Sequence, residues 1–448
     1  MIRLPFVGGS HESLPVSASQ AVNCFPELGQ DVNPVQRSVP GTSVFCDLGE
    51  PIRGMHYAFG RLYAVAGERF YSVSVAGVGT SLGVVGTSSA PVSMAHNIFE
   101  LLTVSGGKGY VVQAATNAFS EITDTDFPVT RKCEFLDGYG ILLEAGTGRF
   151  RFTAIDDFES INGVDFATAE GSPDKLVSVV VDHRELLLFG ERTIEVWYND
   201  GSSPFSRAPS GFVERGCTGT FSPAKVDNTV FWLGDDKIVY RLEQRTPIRI
   251  SNHGVEQAIA RTSVEPVSLA YTQGGHAFYQ LTFPGELTIV YDAATQRWHT
   301  RQTQGRDDCV YQHHAFAYGK HLVGGADGKI YELNPNLYQH AGDELPRSRT
   351  IGPLRTEGFQ SMHSLTFMLA PGVTSHIATS PKVFLDISDD GGRTFNQRME
   401  AFAGKQGDYL RQVDFFGLGG YYDNQRVLKL SMTDNAEFTI VDAYAEVS

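Results

Sequence analysis

Adjacent imidazoles are one place to look for chemistry, and His313-His314 is such a pair. Histidine is the commonest metal ligand. In a strand, however, neighbouring side chains point to opposite faces, so the two rings are poorly placed to share one ion. They read as structural or exposed histidines. Asp156-Asp157 and the acidic stretch Glu121, Asp124, Asp126 offer clustered oxygens of the kind that hold Ca²⁺, but read as solvated loops. Trp197, Trp232 and Trp298 fall in or beside apolar alternation, which packing explains. The chain has no GxxxxGK[ST] loop, no HExxH, no GxSxG elbow and no GxGxxG after a strand. These absences weaken an enzymatic reading without excluding one, because triads assemble in space.

The most enzyme-like string is Ser388-Asp389-Asp390-Gly391-Gly392-Arg393-Thr394-Phe395. It matches the S-x-D-x-G-x-T-W/F box of sialidases. In such a hairpin Asp390 accepts backbone N–H bonds and Gly392 takes the left-handed turn position. The box folds a turn and does no catalysis. A sialidase would also need three clustered arginines and a tyrosine nucleophile. Arg53, Arg61, Arg149, Arg184 and Arg241 are present, but nothing in their spacing selects three. No catalytic, cofactor-binding or metal-binding residue is therefore assigned, and the protein is expected not to be an enzyme.

The elements that would carry such residues repeat. The stretch 182–198, DHRELLLFGERTIEVWY, reads as two strands around a tight turn. Kindred segments cover 51–73, 91–112, 134–152, 175–198, 222–242, 267–292 and 314–333. Each has an apolar strand, a polar turn (Phe59-Gly60-Arg61, Asp137-Gly138, Asp182-His183-Arg184, Asp227-Asn228), a second strand ending in glycine, and an aromatic-rich third strand. Gly67, Gly106, Gly146, Gly190 and Gly234 follow one another at 39, 40, 44 and 44 residues. They are expected to supply the positive φ of tight hairpins. A period of about 40–45 residues with three or four strands per unit is the propeller signature. Weak fourth strands are SLGVV, FSEIT, ERGCTG, PIRIS and RWHTRQT. The last unit lacks one, and a spare strand, 42–48 (TSVFCDL), precedes the first. We expect 42–48 to pair beside the unit at 314–333 and hide the open edges.

The fold class is thus all-β: a β-propeller of about seven blades followed by a small C-terminal antiparallel β-sandwich. The expected divisions are an extended N-terminal arm (1–41), the propeller (42–345), a charged, Pro/Gly-punctuated linker (346–357) and the sandwich (358–448). Glycine is abundant (47 residues) and charge sparse (19%), which suits turns and strands better than solvated helices. Five dispersed cysteines suit buried free thiols in a reducing cytoplasm. The N-terminus turns polar too soon for a signal peptide, and no apolar run approaches a membrane helix. The net charge of −15 argues against a sequence-reading DNA binder.

Several strings resemble the tail hub proteins of short-tailed bacteriophages, also called packaged-DNA stabilisation or tail nozzle proteins. They are Val22-Asn23-Cys24-Phe25-Pro26-Glu27, Pro40-Gly41-Thr42, Pro51-Ile52-Arg53-Gly54-Met55, the run 165–201, Phe231-Trp232-Leu233-Gly234, 276–284, Trp298-His299 and 320–325. The resemblance covers about 20–335 and is weaker beyond. It implies a virion tail protein, synthesised in the host bacterial cytoplasm and assembled as a homo-hexamer below the portal and its adaptor. The hexamer would retain packaged DNA, conduct it on ejection and anchor a tail needle or plug and tailspikes or fibres. It implies no cofactor. The acidic balance then gains a meaning: a conduit for sliding duplex DNA needs walls that repel phosphate. The alternatives are a propeller glycan hydrolase, which an active-site mutation would silence, and a generic propeller interaction module. Flanking portal and adaptor genes would speak against the latter.

Overall fold

Turns of two residues, both at positive φ, set the plan of the molecule. The computed structural model describes every residue except 14–16, 29–33, 170, 172–173, 202–204, 356–357, 373–379, 406 and 423–424. Phe59-Gly60, Asp137-Gly138, His183-Arg184, Asp227-Asn228 and Tyr318-Gly319 all lie in the left-handed region. That geometry matches the right-handed twist of the flanking strands and closes each first hairpin tightly. The second hairpin closes in two ways. Gly67, Gly106 and Gly146 do take positive φ. Gly190 and Gly234 do not: a Cβ would lie 2.6 Å from the Asp236 carboxylate at Gly234, and at Gly190 2.4 Å from that of Asp174, so close approach favours glycine at both. The Asp174 carboxylate accepts the backbone N–H of Glu191, Arg192 and Thr193 and builds the turn from outside it.

The repeats are antiparallel four-stranded sheets at 52–84, 93–121, 133–168, 176–213 and 224–249. The unit at 267–300 has the same four strands, and 311–334 has three. The expected closure is found: strand Gly41–Asp47 pairs antiparallel with Lys329–Asn334, with Tyr331 opposite Val44. The expected outer strand ERGCTG is corrected. The fourth unit instead uses Ser206–Val213, which pairs with Ile194–Tyr198 through a bulge. Polar spacing there hid a strand that has to bend.

The expectation of about seven blades is corrected to six blades. The repeat at 267–300 is absorbed into a ten-stranded sheet. Its outer strand Arg297–Thr300 meets Ser17–Val22, which pairs on with Arg347–Ile351, Val427–Met432, Lys382–Ser388 and Gln397–Phe402. The stretch expected as a linker thus contains a fully buried strand, Arg347–Ile351. A second sheet joins Cys24–Glu27, Val35–Ser38, Ile440–Val447, Gln360–Leu369 and Arg411–Phe416. Between the two sheets lies one core that includes Phe6, Phe367, Leu385, Leu428 and Ile440. Residues of the N-terminal arm are therefore built into the C-terminal half.

The remaining core is divided among the gaps between successive blades. Phe189, Val196 and Trp232 join the fourth unit to the fifth, and Leu322, Ile330, Ile52 and Leu62 join the last unit to the first. Side-chain hydroxyls tie inner strands across the same gaps: Ser93 to the Cys133 carbonyl, Ser178 to that of Thr220, Ser268 to that of Phe221. Helix is almost absent among the described residues; His253–Ala260 is an α-helix, capped by the Asn252 side chain. No helix there is long and apolar enough to cross a membrane.

Because Leu322 is fully buried in the seam that closes the ring, Leu322→Ala is expected to destabilise the chain by about 2–5 kcal/mol. A lowered urea midpoint would report it. Val84, more than half exposed on an outer strand, serves as control, and Val84→Ala should shift stability by no more than about 0.5 kcal/mol.

Candidate functional site

The box at 388–395 folds as its residues dictate. Asp390 accepts the backbone N–H of Arg393 (2.8 Å) and Thr394 (2.9 Å) and the Thr394 hydroxyl (2.6 Å). These bonds, led by that of Thr394, hold its carboxyl well below the usual carboxylate range. Gly391 and Gly392 both take positive φ. Next to them Asp389 holds the buried Arg426 through two bonds of 2.7 and 2.8 Å, and Arg426 lies over the Tyr421 ring. Every one of these contacts builds the hairpin, and none presents a reactive group.

The histidines separate as alternation requires. His314 faces His321 (Nε2 to Nδ1, 3.1 Å) and Tyr271, whereas His313 lies beside Ile52 and Arg53 of the first unit. Burial pushes His313 down to about 4 and His314 to about 3. A pair that the sequence did not reveal, His56 and His96, meets across two neighbouring blades at 2.7 Å. His56 is pushed down to about 4, mainly by burial. Among the described residues no group of three or more His, Cys, Asp or Glu is placed to hold a metal ion.

The acidic stretch does structural work. Asp124 accepts the N–H of Ile161, and Asp126 that of Gly163, which pins the long loop of the third unit. Glu121 pairs with Lys108. Asp157 turns back on the N–H of Glu159, and Asp156 is exposed. The five arginines lie apart. Arg53 is buried and donates to the carbonyls of Ala90 and Gly67 and to Ser105. Arg184 pairs with Asp137, Arg241 with Glu243, and Arg149 lies over Phe166. Arg61 is an exposed residue at the start of its strand. Trp232 and Trp298 donate their indole N–H to the carbonyls of Gly216 and Ile250, and Trp197 to Glu195. All five cysteines are free and buried. Burial pushes Cys133 and Cys217 up to about 12, so these thiols are unreactive.

Two features remain that spacing could not show. At the ring's centre Arg131, just before the third unit, pairs at 3.0 Å with Glu265, just before the sixth. The two units are not neighbours, so the pair spans the central hollow on that face. The other feature is a cleft of about 600 Å³ where the arm, the 267–300 blade and the 349–355 segment meet. Among the described residues its lining includes Arg297, Arg349 and Arg355 and no carboxylate. Arg349 is buried and donates to the carbonyls of Phe6 and Gly9 and to the Ser19 hydroxyl; burial lowers it to about 10.

A family model described as "Bacteriophage P22 Gp10, beta-propeller" matches residues 3–338. No curated protein matches the chain. Among solved structures, the computationally designed Ika8 protein is similar at 13% identity and a TM-score of 0.41. The match covers 73% of this chain and 98% of that one, and is too loose to bear an argument.

Two outcomes follow from the site's geometry. Half-buried His56, His313 and His314 stay neutral in the fold while the unfolded chain binds protons below about 6.5. Stability should therefore be full above pH 6.5 and fall as pH drops towards 4. Each such imidazole adds about 1.4 kcal/mol per pH unit to the slope, so melting of His313→Gln should be measurably less pH-dependent over that window. Separately, Asp390→Ala should speed proteolytic nicking within 388–396. Unchanged cleavage would deny that carboxylate its role in the hairpin.

Proposed function

We propose, because this chain belongs to the phage stabilisation family described by the bacteriophage P22 Gp10 β-propeller, that it forms a hexameric hub or nozzle beneath the portal and adaptor of a short phage tail. Membership makes it a structural protein of a phage tail, and no residue set described above argues for catalysis. In the finer reading the ring of subunits retains packaged DNA, conducts it on ejection and anchors a needle or plug together with tailspikes or fibres. The family match over 3–338 carries this reading.

Two physical features support the details. The net charge of −15 suits a wall past which duplex DNA must slide without being gripped. The Arg131–Glu265 bridge obstructs the propeller's own hollow, which favours a DNA path along an axis shared by several subunits. We read the disc as six blades, with the 267–300 sheet, shared with the C-terminal half, in contact with them. We also read 358–448, with strands of the 1–41 arm, as a two-layered β-sandwich; the core shared by its two sheets supports that assignment.

A reconstruction of the intact particle by electron microscopy tests the proposal. The expected result is six copies around the tail axis below the portal, with Asp and Glu enriched along the lumen. Absence of the chain from the tail, another copy number, or a lumen rich in Lys and Arg would overturn it.

A further inference from the structure

The arginine cleft and the long loop of the third unit are complementary, and they lie on opposite sides of the disc. In the cleft, Arg297 and Arg355 are exposed beside Leu28, which is 57% exposed, and none of the described lining residues is acidic. The cleft abuts the turn between the third and fourth strands of the 267–300 blade. The loop at 153–165 is the corresponding turn of the 133–168 blade. It carries Asp156, Asp157, Glu159 and Asp165 and no basic residue. Ile155 and Val164 stand out of it, 61% and 74% exposed.

Going round the ring, the 176–213 and 224–249 blades separate loop from cleft one way. The 311–334, 52–84 and 93–121 blades separate them the other way. Both features therefore sit on the rim, at the same face of the disc, and too far apart to meet within one chain. A contact between two different patches on opposite sides of a subunit is heterologous, and repeated contacts of that kind close into a ring when the rotation allows.

We propose that the 153–165 loop of one copy seats in the arginine cleft of the next, with Arg297 and Arg355 facing its carboxylates and Leu28 facing Ile155 or Val164. This rests on the hub reading above and names the contact that would build the ring. The loop is already stiff: Asp124 and Asp126 fix its backbone, and Glu159 accepts from Ser120 and Gln113. It would therefore dock with little ordering cost. The cleft is lined by Pro5, Pro26, Pro34 and Pro353, which offer a firm apolar floor and no backbone donors. The opposite charges also steer successive copies into one orientation.

The test is photo-cross-linking in intact particles, with benzoylphenylalanine at Val164 of the full chain. Adducts on residues 26–28 or 351–355 of a neighbouring copy are expected. R297E/R355E, both at exposed positions, should cut their yield roughly tenfold or more, and adding D156K/D157K should restore it. Adducts elsewhere, none at all, or a yield indifferent to R297E/R355E would overturn the inference. Particles that contain the chain in their tails but cross-link elsewhere defeat this contact alone; particles that lack the chain defeat the hub reading with it.

Discussion

A propeller made of consecutive sheets has one place where the chain must meet itself, and here that place governs the rest of the molecule. The last repeat supplies three strands, and its open edge is filled by Gly41–Asp47 from far upstream. Thr42 is fixed there by Tyr311 and His340. A Cβ at Gly41 would lie 2.5 Å from the Leu337 carbonyl, so the closing strand enters where only glycine fits. Because the N-terminal end is committed to closure, the segment before it must run over the ring's outside. It does so between the 267–300 blade and the C-terminal sheets. Asn23 clips it at both sides, donating to the carbonyls of Gln302 and Pro346. Arg349 holds it through backbone carbonyls, and Arg347 likewise holds the Leu345 and Ala436 carbonyls. A buried arginine that satisfies carbonyls joins segments from distant parts of the chain at once, which one apolar contact does not do.

This explains what kind of residue carries the family resemblance. In Val22 to Glu27, Asn23 is the clip and Cys24 contacts the Ser348 carbonyl. In Pro51 to Met55, Arg53 ties the first blade to the second, and a Cβ at Gly54 would lie 2.4 Å from Val92. Within 165–201, Asp174 builds the turn at 190–193, and Glu195 receives both the Gly171 N–H and the Trp197 indole. Positions 170, 172 and 173 of that run lie outside the described residues. These are backbone pins. A scaffold is recognisable by them as an enzyme is by its catalytic groups.

What could be read from sequence follows from the range of the forces involved. Hairpin turns, strand alternation and the 40-odd-residue period are local, so the repeats and the Asp390 hairpin were legible. Closure by 42–48 was legible as well, because an edge without a partner implies a spare strand. The pairing of Ser17–Val22 with Arg347–Ile351 was not, since it joins segments more than 300 residues apart. The polar residues of Arg347–Ile351 resemble a linker until their carbonyl partners are known. The His56–His96 pair and the Arg131–Glu265 bridge arise from ring geometry, and no spacing encodes them.

That bridge bears on the DNA path of the proposed hub. Its energy is small, since an exposed pair contributes about 0–1 kcal/mol, so it is no lock. What matters is its length. Two ordinary side chains reach across the hollow and touch at 3.0 Å, so the opening there is narrower than any groove-bearing duplex. Widening it would break the seams between neighbouring blades, whose buried apolar residues hold far more stability than the bridge itself. The hollow is thus too narrow for a duplex, and only the disc's faces and rim are free to form walls. Around an acidic surface, repulsion of phosphate acts over roughly a Debye length, about 8 Å at physiological salt. In the proposed hub, that repulsion would centre a passing duplex without contact with its bases.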